Sequence, residues 1–154
     1  MISLEYMAGF FDGEGCVDFK VTGQARMIAV RASIINTNRD LLELLKLSFN
    51  GAIYSRPHVK KPNWKDFNSL TWINSEAVEF LRLIKPYSII KLNQIKLAEE
   101  YWEFSQSPRH QRCKLVLSPC KDGIARPRWI RTEATFAAEQ VFKDRMHLLN
   151  MKGQ

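Results

Sequence analysis

The sequence predicts an α+β protein in which one antiparallel sheet carries its helices on one side. Segments of alternating apolar residues occur in adjacent pairs separated by short turns, which is typical of antiparallel strands. Stretches with apolar residues at helical spacing separate these pairs, so the order is helix, two strands, helix, two strands, helices. A length of 154 residues fits a single domain over 1–154.

Caps, breakers and periodicity define each element in turn. The predicted elements are a helix over 4–14, strands over 16–22 and 27–35, a helix from Asn38 to Gly51, strands near 52–58 and 67–73, helices over 75–85 and 88–104, and a helix over 132–150. Side chains suited to helix N-caps precede three of the helices, and glycine or proline ends them. These are Ser3, Asn38 and Ser75 at the starts, and Gly15, Gly51 and Pro86 at the ends.

The first two strands each have one apolar face. Alternation predicts that one face carries Val17, Phe19 and Val21 on the first strand and Ile28, Val30, Ala32 and Ile34 on the second. On the fourth strand, Leu70 and Trp72 are predicted core residues. The remaining face of the sheet is half polar, so it must contact water or a partner.

Positive charge is concentrated in one segment of a chain whose net charge is +7. Residues 109–131 contain seven Lys or Arg against a single acid, Asp122. Prolines at 108, 119 and 127 predict a mostly irregular structure for 105–131. Such a one-sided cluster indicates a phosphate-bearing partner, although charge alone does not distinguish DNA, RNA and an anionic membrane.

Several classes of protein are disfavoured by composition. No run of 18 apolar residues is present, so a membrane span is not expected. The N-terminus has early acids and no basic start, which disfavours a signal peptide and favours an intracellular protein that is not secreted. Three cysteines argue against a disulfide framework, and the set His110, Cys113 and Cys120 is one ligand short of a zinc site.

The stretch Met7–Gly15, MAGFFDGEG, has the features of a packing helix that ends in a polar site. Gly9 and Gly13 are four residues apart and share a helix face, where a second backbone could approach closely. Because glycine costs about 1 kcal/mol in a helix interior, tight helix–helix packing is the expected compensation. Glu14 lies at the helix C-terminus beside unpaired carbonyls, a set of oxygens suited to Mg²⁺. A solvated surface acid is the alternative for Glu14.

This stretch resembles the LAGLIDADG motif of homing endonucleases, with Met7 in place of the usual leucine and Glu14 as the final acid. The resemblance extends in pattern to about residue 105, and beyond that only in helix content. It implies an αββαββα fold whose saddle-shaped antiparallel sheet lies on DNA. With one motif per chain, it implies a homodimer with Ala8, Gly9, Asp12 and Gly13 at the interface.

The resemblance also implies the chemistry. Two Glu14 carboxylates would meet at the centre and, with the Gly13 carbonyl, bind Mg²⁺ or Mn²⁺. The implied reaction is hydrolysis of both strands of a long pseudo-palindromic DNA site, which leaves short 3′ overhangs. Asn36 matches the position of a glutamine that orders the attacking water. Lys91, in the stretch from Pro86 to Gln94, matches a catalytic lysine, and an ordinary helix-surface lysine is the alternative.

Recognition of double-stranded DNA would use the polar sheet face, because a two-stranded antiparallel ribbon fits the major groove. The predicted DNA-binding residues are Asp18, Lys20, Thr22, Gln24, Arg31, Ser33, Tyr54, Arg56 and His58. For each of them, a solvated surface residue is the alternative.

A second function class stays open at this point. A protein of the same fold could bind nucleic acid without cutting it, as an RNA maturase acting on its intron or as a DNA-binding regulator. The resemblance also implies an intron-encoded origin and a location in an organelle or prokaryotic cytoplasm. A nuclease with a histidine base is disfavoured, since His58, His110 and His147 are not set beside a metal motif.

Overall fold

The computed structural model describes residues 2–22, 27–56, 66–108, 113–119 and 124–151. In chain order the elements are α1 (Leu4–Glu14), β1 (Gly15–Thr22), β2 (Met27–Asn36), α2 (Arg39–Phe49), β3 (Ala52–Arg56), β4 (Phe67–Ile73), α3 (Ser75–Ile84), a 3₁₀ turn (Lys85–Tyr87), α4 (Leu92–Gln106), β5 (Cys113–Pro119), β6 (Ala125–Arg131) and α5 (Glu133–Met151). The predicted α+β class and the order αββαββα are confirmed.

The first four strands form one antiparallel sheet in the order β1-β2-β4-β3. In the β1–β2 register, Gly15 pairs with Ile34 at one end and Thr22 pairs with Met27 at the other. Leu70 of β4 pairs with Ile34 on one side and with Ile53 of β3 on the other. All neighbours are antiparallel, so alternate residues of every strand share a face.

The core lies between one face of this sheet and the helices. Val17, Val30, Ala32, Ile34, Leu70 and Trp72 are buried on that face, which confirms the predicted alternation. Val21 departs from it, since 43% of the residue is exposed near the strand end. Trp72 stacks on Phe80 of α3 with 3.9 Å between ring centroids, and its indole N–H donates to the Phe49 carbonyl. Helix α5 also joins this layer, because Met146 is buried and the Asn150 amide donates to the Val17 carbonyl.

Two helix starts differ from prediction. Asn74, not Ser75, occupies the N-cap of α3, with a positive φ of 55° and no side-chain cap hydrogen bond. Helix α4 begins at Leu92 and not near residue 88. The reason is a distant partner, because a carboxylate of α1 binds the backbone N–H groups of the segment just before Leu92.

The prediction of an irregular segment over 105–131 is wrong. Helix α4 continues to Gln106, and β5 pairs with β6 in an antiparallel hairpin. The prolines are compatible with this ladder because Pro119 ends its strand and Pro127 lies in a two-stranded ribbon, where each strand is an edge. The end of the predicted strand 52–58 and the predicted turn at 60–63 lie outside the described residues.

Candidate active site

The candidate site is built around the Asp12 carboxylate, which joins α1 to the start of α4. Asp12 is buried, and its Oδ2 accepts hydrogen bonds from the backbone N–H groups of Ile89 and Ile90 at 2.6 and 3.0 Å. Its Oδ1 accepts from the Lys91 N–H at 3.1 Å. A charged acceptor of this kind satisfies donors that would otherwise be buried without partners. Lys91 is thereby held beside the C-terminal end of α1.

Glu14 is the last residue of α1 and is exposed, as is Gly13 before it. The chain passes directly from Glu14 into β1, with Gly15 as the C-cap. A Cβ at Gly15 would lie 2.4 Å from the Phe11 carbonyl oxygen, so only glycine allows this tight change from helix to strand. The local packing therefore brings the Glu14 carboxylate to the edge of the sheet.

Asn36 lies at the same end of the sheet, two residues beyond Ile34, the β2 residue that pairs with Gly15. Its side-chain Oδ1 accepts a hydrogen bond from the Asn38 N–H at 2.8 Å. This turn connects β2 to α2, and the Asn38 side chain in turn caps α2 by accepting from Leu41. The Asn36 carbonyl group thus has a structural partner, which leaves its amide NH₂ for any contact with a ligand.

The pKa of the Cys16 thiol reflects the charges that lie near the start of β1. Burial raises the pKa of the Cys16 thiol, and the negative charge of Asp18 raises it further. The positive charges of Arg31 and Lys91 act on the same thiol in the opposite direction. Lys91, Cys16 and the Asp18–Arg31 pair therefore occupy one neighbourhood at the start of β1.

The predicted interface residues fall on two sides of α1. Ala8 and Asp12 are buried within the chain, where Asp12 makes the contacts described above. Gly9 and Gly13 are exposed, and a Cβ added at either would meet no atom within 4 Å. The exposed side of α1 is therefore a shallow surface at Gly9 and Gly13.

Apolar side chains border this glycine surface. Tyr6 is 52% exposed and stacks on Phe10 one turn along the same helix. In the segment held by Asp12, Ile89 is 85% exposed and Ile90 is 49% exposed. Large apolar residues that are exposed together beside glycines are typical of a surface that packs against another protein.

The open face of the sheet carries a bidentate ion pair. Asp18 and Arg31 are opposite each other in the β1–β2 register. The Arg31 Nε donates to Asp18 Oδ1 at 2.8 Å, and its Nη2 donates to Oδ2. This hydrogen bonding raises the pKa of Arg31. The two residues were predicted separately as DNA contacts, and the structure places them in contact with each other.

The remaining predicted DNA-binding residues vary in accessibility. Lys20 and Tyr54 are exposed, whereas Ser33 is buried and faces Thr71 of β4 in the sheet register. The backbone places Thr22 and Arg56 in β1 and β3, but their side chains are outside the described part of the structure. Gln24 and His58 lie outside the described residues.

Sequence reasoning missed the cap formed by Asp12. Its partners are 77 to 79 residues away, so no local spacing predicts the contact. The charge of Asp12 could have indicated such a contact, because an acid on the inner side of a packing helix requires a hydrogen-bonding partner. The sequence also gave no sign that Ser55 bridges Arg39 and Asn68 at the sheet edge.

Neither a metal site within one chain nor a membrane-spanning helix is found among the described residues. Within the parts that the structure describes, no three His, Cys, Asp or Glu side chains of a single chain lie together as a metal site. Over the same residues, none of the helices combines the length and the apolar character needed to cross a bilayer.

Comparison with known proteins gives structural matches but no sequence matches. No family model matches the sequence, and no curated protein matches it. Among solved structures, the homing endonuclease I-CvuI in complex with its target has a TM-score of 0.68 at 15% identity, covering 95% of this chain and 80% of that chain. The I-LtrWI LAGLIDADG homing endonuclease bound to target DNA has a TM-score of 0.64 at 15% identity, covering 94% and 44% of the two chains.

A third match covers less of the chain. The archaeal intron-encoded homing endonuclease I-Vdi141I complexed with DNA has a TM-score of 0.55 at 20% identity, covering 70% of this chain and 71% of that chain. At these identities the comparisons establish the fold.

Proposed function

We propose that this chain, whose fold is that of the LAGLIDADG homing endonucleases, is a DNA endonuclease that acts as a homodimer and uses a divalent metal ion. The observation that carries the proposal is the exposed Glu14 at the end of α1, a helix that also exposes Gly9 and Gly13 and positions Lys91 through Asp12. The neighbours with this fold are described as homing endonucleases in complex with DNA.

The homodimer is supported by the shape of α1. Gly9 and Gly13 leave open space in which the same helix of a second chain can pack closely. At helical spacing Tyr6 and Phe10 share the side of α1 that carries Gly9 and Gly13, and Ile89 is exposed in the segment held by Asp12. In a symmetric dimer the same patch meets itself, so the C-terminal ends of both α1 helices come together. Each end carries a Glu14 carboxylate.

The donor set fits Mg²⁺ or Mn²⁺. Carboxylate and main-chain carbonyl oxygens are hard ligands, and Glu14 with the Gly13 carbonyl from each protomer would supply them. Two adjacent carboxylates repel one another unless cations neutralise them. When bound, such a cation supplies charge that activates water and offsets charge on a phosphodiester.

The protein side chains then have distinct roles. Lys91 would place a positive charge near the phosphate oxygens, where it stabilises developing negative charge. Asn36 would offer its amide NH₂ to the water or phosphate, since its Oδ1 is occupied by Asn38. Asp12 is a positioning residue, because it acts on the Lys91 backbone and not on the substrate.

DNA recognition would use the open face of the sheet. Lys20 and Tyr54 are exposed there and available for base or phosphate contacts. Arg31 can contact guanine only through those donors that Asp18 leaves free, so Asp18 orients the guanidinium. Ser33 and Thr71 are buried between their neighbours, and they are expected to act on strand geometry more than on bases.

The proposal is tested by incubating the protein with a randomised duplex library and Mg²⁺ and sequencing the cut ends, with EDTA as the control. Recovery of one long, roughly palindromic site, cut on both strands only with metal, is the expected result. If the protein binds nucleic acid but cuts neither the library nor the insertion locus of the host intron, the endonuclease proposal is contradicted. A maturase or a regulator is then favoured.

A further inference from the structure

The junction between α2 and β3 consists of Asn50 and Gly51, and both have a positive φ. Asn50 has a φ of 58° and a ψ of −152°, and Gly51 has a φ of 94°. Asn50 is exposed and is the C-cap of α2, where its N–H donates to the Lys46 carbonyl at 2.8 Å. Among non-glycine residues, asparagine is one of the few that tolerate a positive φ. The backbone therefore favours asparagine at this position.

Gly51 is required by packing against the core. A Cβ at this position would lie 2.8 Å from Nε1 of the buried Trp72 and 3.0 Å from Leu70 Cδ1. The positive φ of Gly51 disfavours any side chain as well. The same Trp72 N–H donates to the Phe49 carbonyl at 2.9 Å, so both sides of Asn50 contact one indole. The amide that follows Asn50 consequently belongs to a residue without a side chain.

The backbone of Asn50 turns the Gly51 nitrogen towards the side chain of Asn50. A five-membered ring through this nitrogen and Asn50 Cγ requires the Cα–Cβ bond and the C–N bond to be nearly eclipsed. In an L-residue this corresponds to a ψ of about −120°, because the substituents of Cα are about 120° apart. The observed ψ of −152° is within about 35° of that value. Helices and strands hold ψ near about −42° and about +135°, so they keep the two groups apart.

The other asparagines of the described residues lack this combination. Asn74 shares the backbone, with a φ of 55° and a ψ of −121°, but Ser75 follows it and its side chain crowds the amide nitrogen. Asn38 has a ψ of 97°. Helices contain Asn93 and Asn150, and strands contain Asn36 and Asn68. Asn63 lies outside the described residues.

We propose that Asn50 is a site of spontaneous deamidation in the folded chain. The Gly51 nitrogen loses its proton to hydroxide and attacks Asn50 Cγ, so that a bond forms between them. The bond from Cγ to the side-chain nitrogen breaks, and ammonia leaves. Water then opens the resulting succinimide at either carbonyl, which gives aspartate or isoaspartate. Water and hydroxide are the only other reactants, and the inference is independent of the proposed function.

Both products change the contacts at the end of α2. Each adds a negative charge at the helix C-terminus, where the helix dipole disfavours it. Isoaspartate also lengthens the main chain by one methylene between Phe49 and Gly51, both of which are held by Trp72. The lengthened chain has to displace one of these contacts. Modified chains are therefore expected to unfold at a lower denaturant concentration than unmodified chains.

The test follows deamidation of the wild-type chain at mildly alkaline pH, once in the folded state and once in denaturant. Samples taken over time are digested under mildly acidic conditions. Mass spectrometry then measures the conversion of amide to acid at each asparagine, and chromatography separates aspartyl from isoaspartyl peptides. Asn50→Gly is the matched control, because glycine accepts the positive φ and carries no amide.

The expected result is that Asn50 reacts at a similar rate in the folded and the denatured chain. Folding should slow the reaction at Asn93, within α4, by about tenfold or more, which is a barrier difference of about 1.4 kcal/mol. In the folded chain, Asn50 should react before Asn74. The aged wild type should lose stability in denaturant unfolding, whereas Asn50→Gly treated in the same way should not.

Three outcomes would overturn the inference. If folding protects Asn50 as strongly as Asn93, the folded backbone does not permit the reaction. Modification that appears first at Asn74 or Asn93 would place the reactive site elsewhere. An equal loss of stability in aged Asn50→Gly would show that the loss does not come from Asn50. The rates are measured in the wild type, so the first two outcomes do not depend on the folding of the variant.

Discussion

Asp12 connects two distant parts of the candidate site at the scale of single residues. Three backbone N–H groups from residues 89–91 converge on one buried carboxylate, two residues before Glu14. The position of Lys91 therefore depends on a side chain that is buried within the protomer. A substitution at Asp12 is therefore expected to change the stability of the protomer and, in the proposed enzyme, the rate of cleavage.

Asp12→Asn is expected to lose charge-assisted hydrogen bonds and to destabilise the chain by about 1–3 kcal/mol. The rate constant for cleavage should fall more than the affinity for DNA, because Lys91 is displaced while the sheet face is kept. Chemical denaturation and single-turnover kinetics measure the two effects. Asp40→Asn, at an exposed acid in the first turn of α2, is the control. Equal losses of affinity and rate would argue against a positioning role.

Cys16 gives a prediction about pH. Because burial raises the pKa of its thiol, Cys16 ionises at a higher pH in the folded chain than in the unfolded chain. The associated stability is therefore complete below the unfolded pKa, about 8.5, and is lost as pH rises above it. Unfolding measured between pH 7 and about 10 should show less loss of stability for Cys16→Ala than for the wild type. Parallel curves for the two proteins would contradict the burial effect.

Local spacing in the sequence predicted which strand residues are buried. It did not predict which distant residues contact each other. The buried Val17, Val30 and Ile34 follow directly from alternation. The Asp18–Arg31 contact requires the β1–β2 register, which depends on a turn whose residues 23–26 lie outside the described part. Charged residues that alternation places on one polar face can therefore form ion pairs with one another.

At the scale of elements, α1 uses its glycines for two different purposes. Gly15 permits a tight junction against Phe11, whereas Gly9 and Gly13 face open space. Glycine is thus required at position 15 for packing within the protomer, whereas at positions 9 and 13 it leaves room for a partner. Substitutions at these positions test the two roles separately.

Gly15→Ala is expected to destabilise the folded protomer by about 1–3 kcal/mol, because its Cβ would overlap the Phe11 backbone and ring. Thermal or chemical unfolding measures the change. Gly9→Ala is the matched control, since its Cβ meets no atom and alanine favours a helix by about 1 kcal/mol. A Gly15→Ala protein as stable as the wild type would exclude the proposed packing constraint.

Gly9→Leu is expected to leave the protomer folded but to weaken self-association by a factor of ten or more, since the proposed helix contact has no room for the side chain. Sedimentation equilibrium measures the dimer constant, and circular dichroism checks the helix. Lys96→Leu, at an exposed position of α4, controls for added apolar surface. Unchanged association would place the dimer contact elsewhere.

The elements were predicted well wherever a single helix or strand pattern decided them. Helix α1 and α5 have bounds within one residue of expectation, because Ser3 and the apolar spacing define them locally. The β5–β6 hairpin was missed because its prolines indicated irregular chain, although a two-stranded ribbon accepts proline in edge strands. The late start of α4 reflects Asp12, a tertiary contact.

At the scale of the whole molecule, the functional groups are ordered along one direction. Glu14 lies at one end of β1, Lys20 lies farther along the same strand on the open face, and Val21 at the far end lines a cavity with Phe136 and Glu139 of α5. In the proposed dimer this order runs outward from the centre on both sides. Cleavage and DNA recognition would then occupy successive zones of one DNA site.

In the proposed endonuclease, Glu14 serves catalysis and not DNA binding or folding. The most direct measurement is cleavage of the selected duplex, with Mg²⁺, by Glu14→Gln and by Glu5→Gln, an exposed acid in the first turn of the same helix. We expect Glu14→Gln to bind the duplex within a few-fold of the wild type yet to lose cleavage by a factor of 1,000 or more, on the order of a lost metal ligand, while Glu5→Gln cuts normally. A Glu14→Gln protein that cuts at the wild-type rate would contradict it.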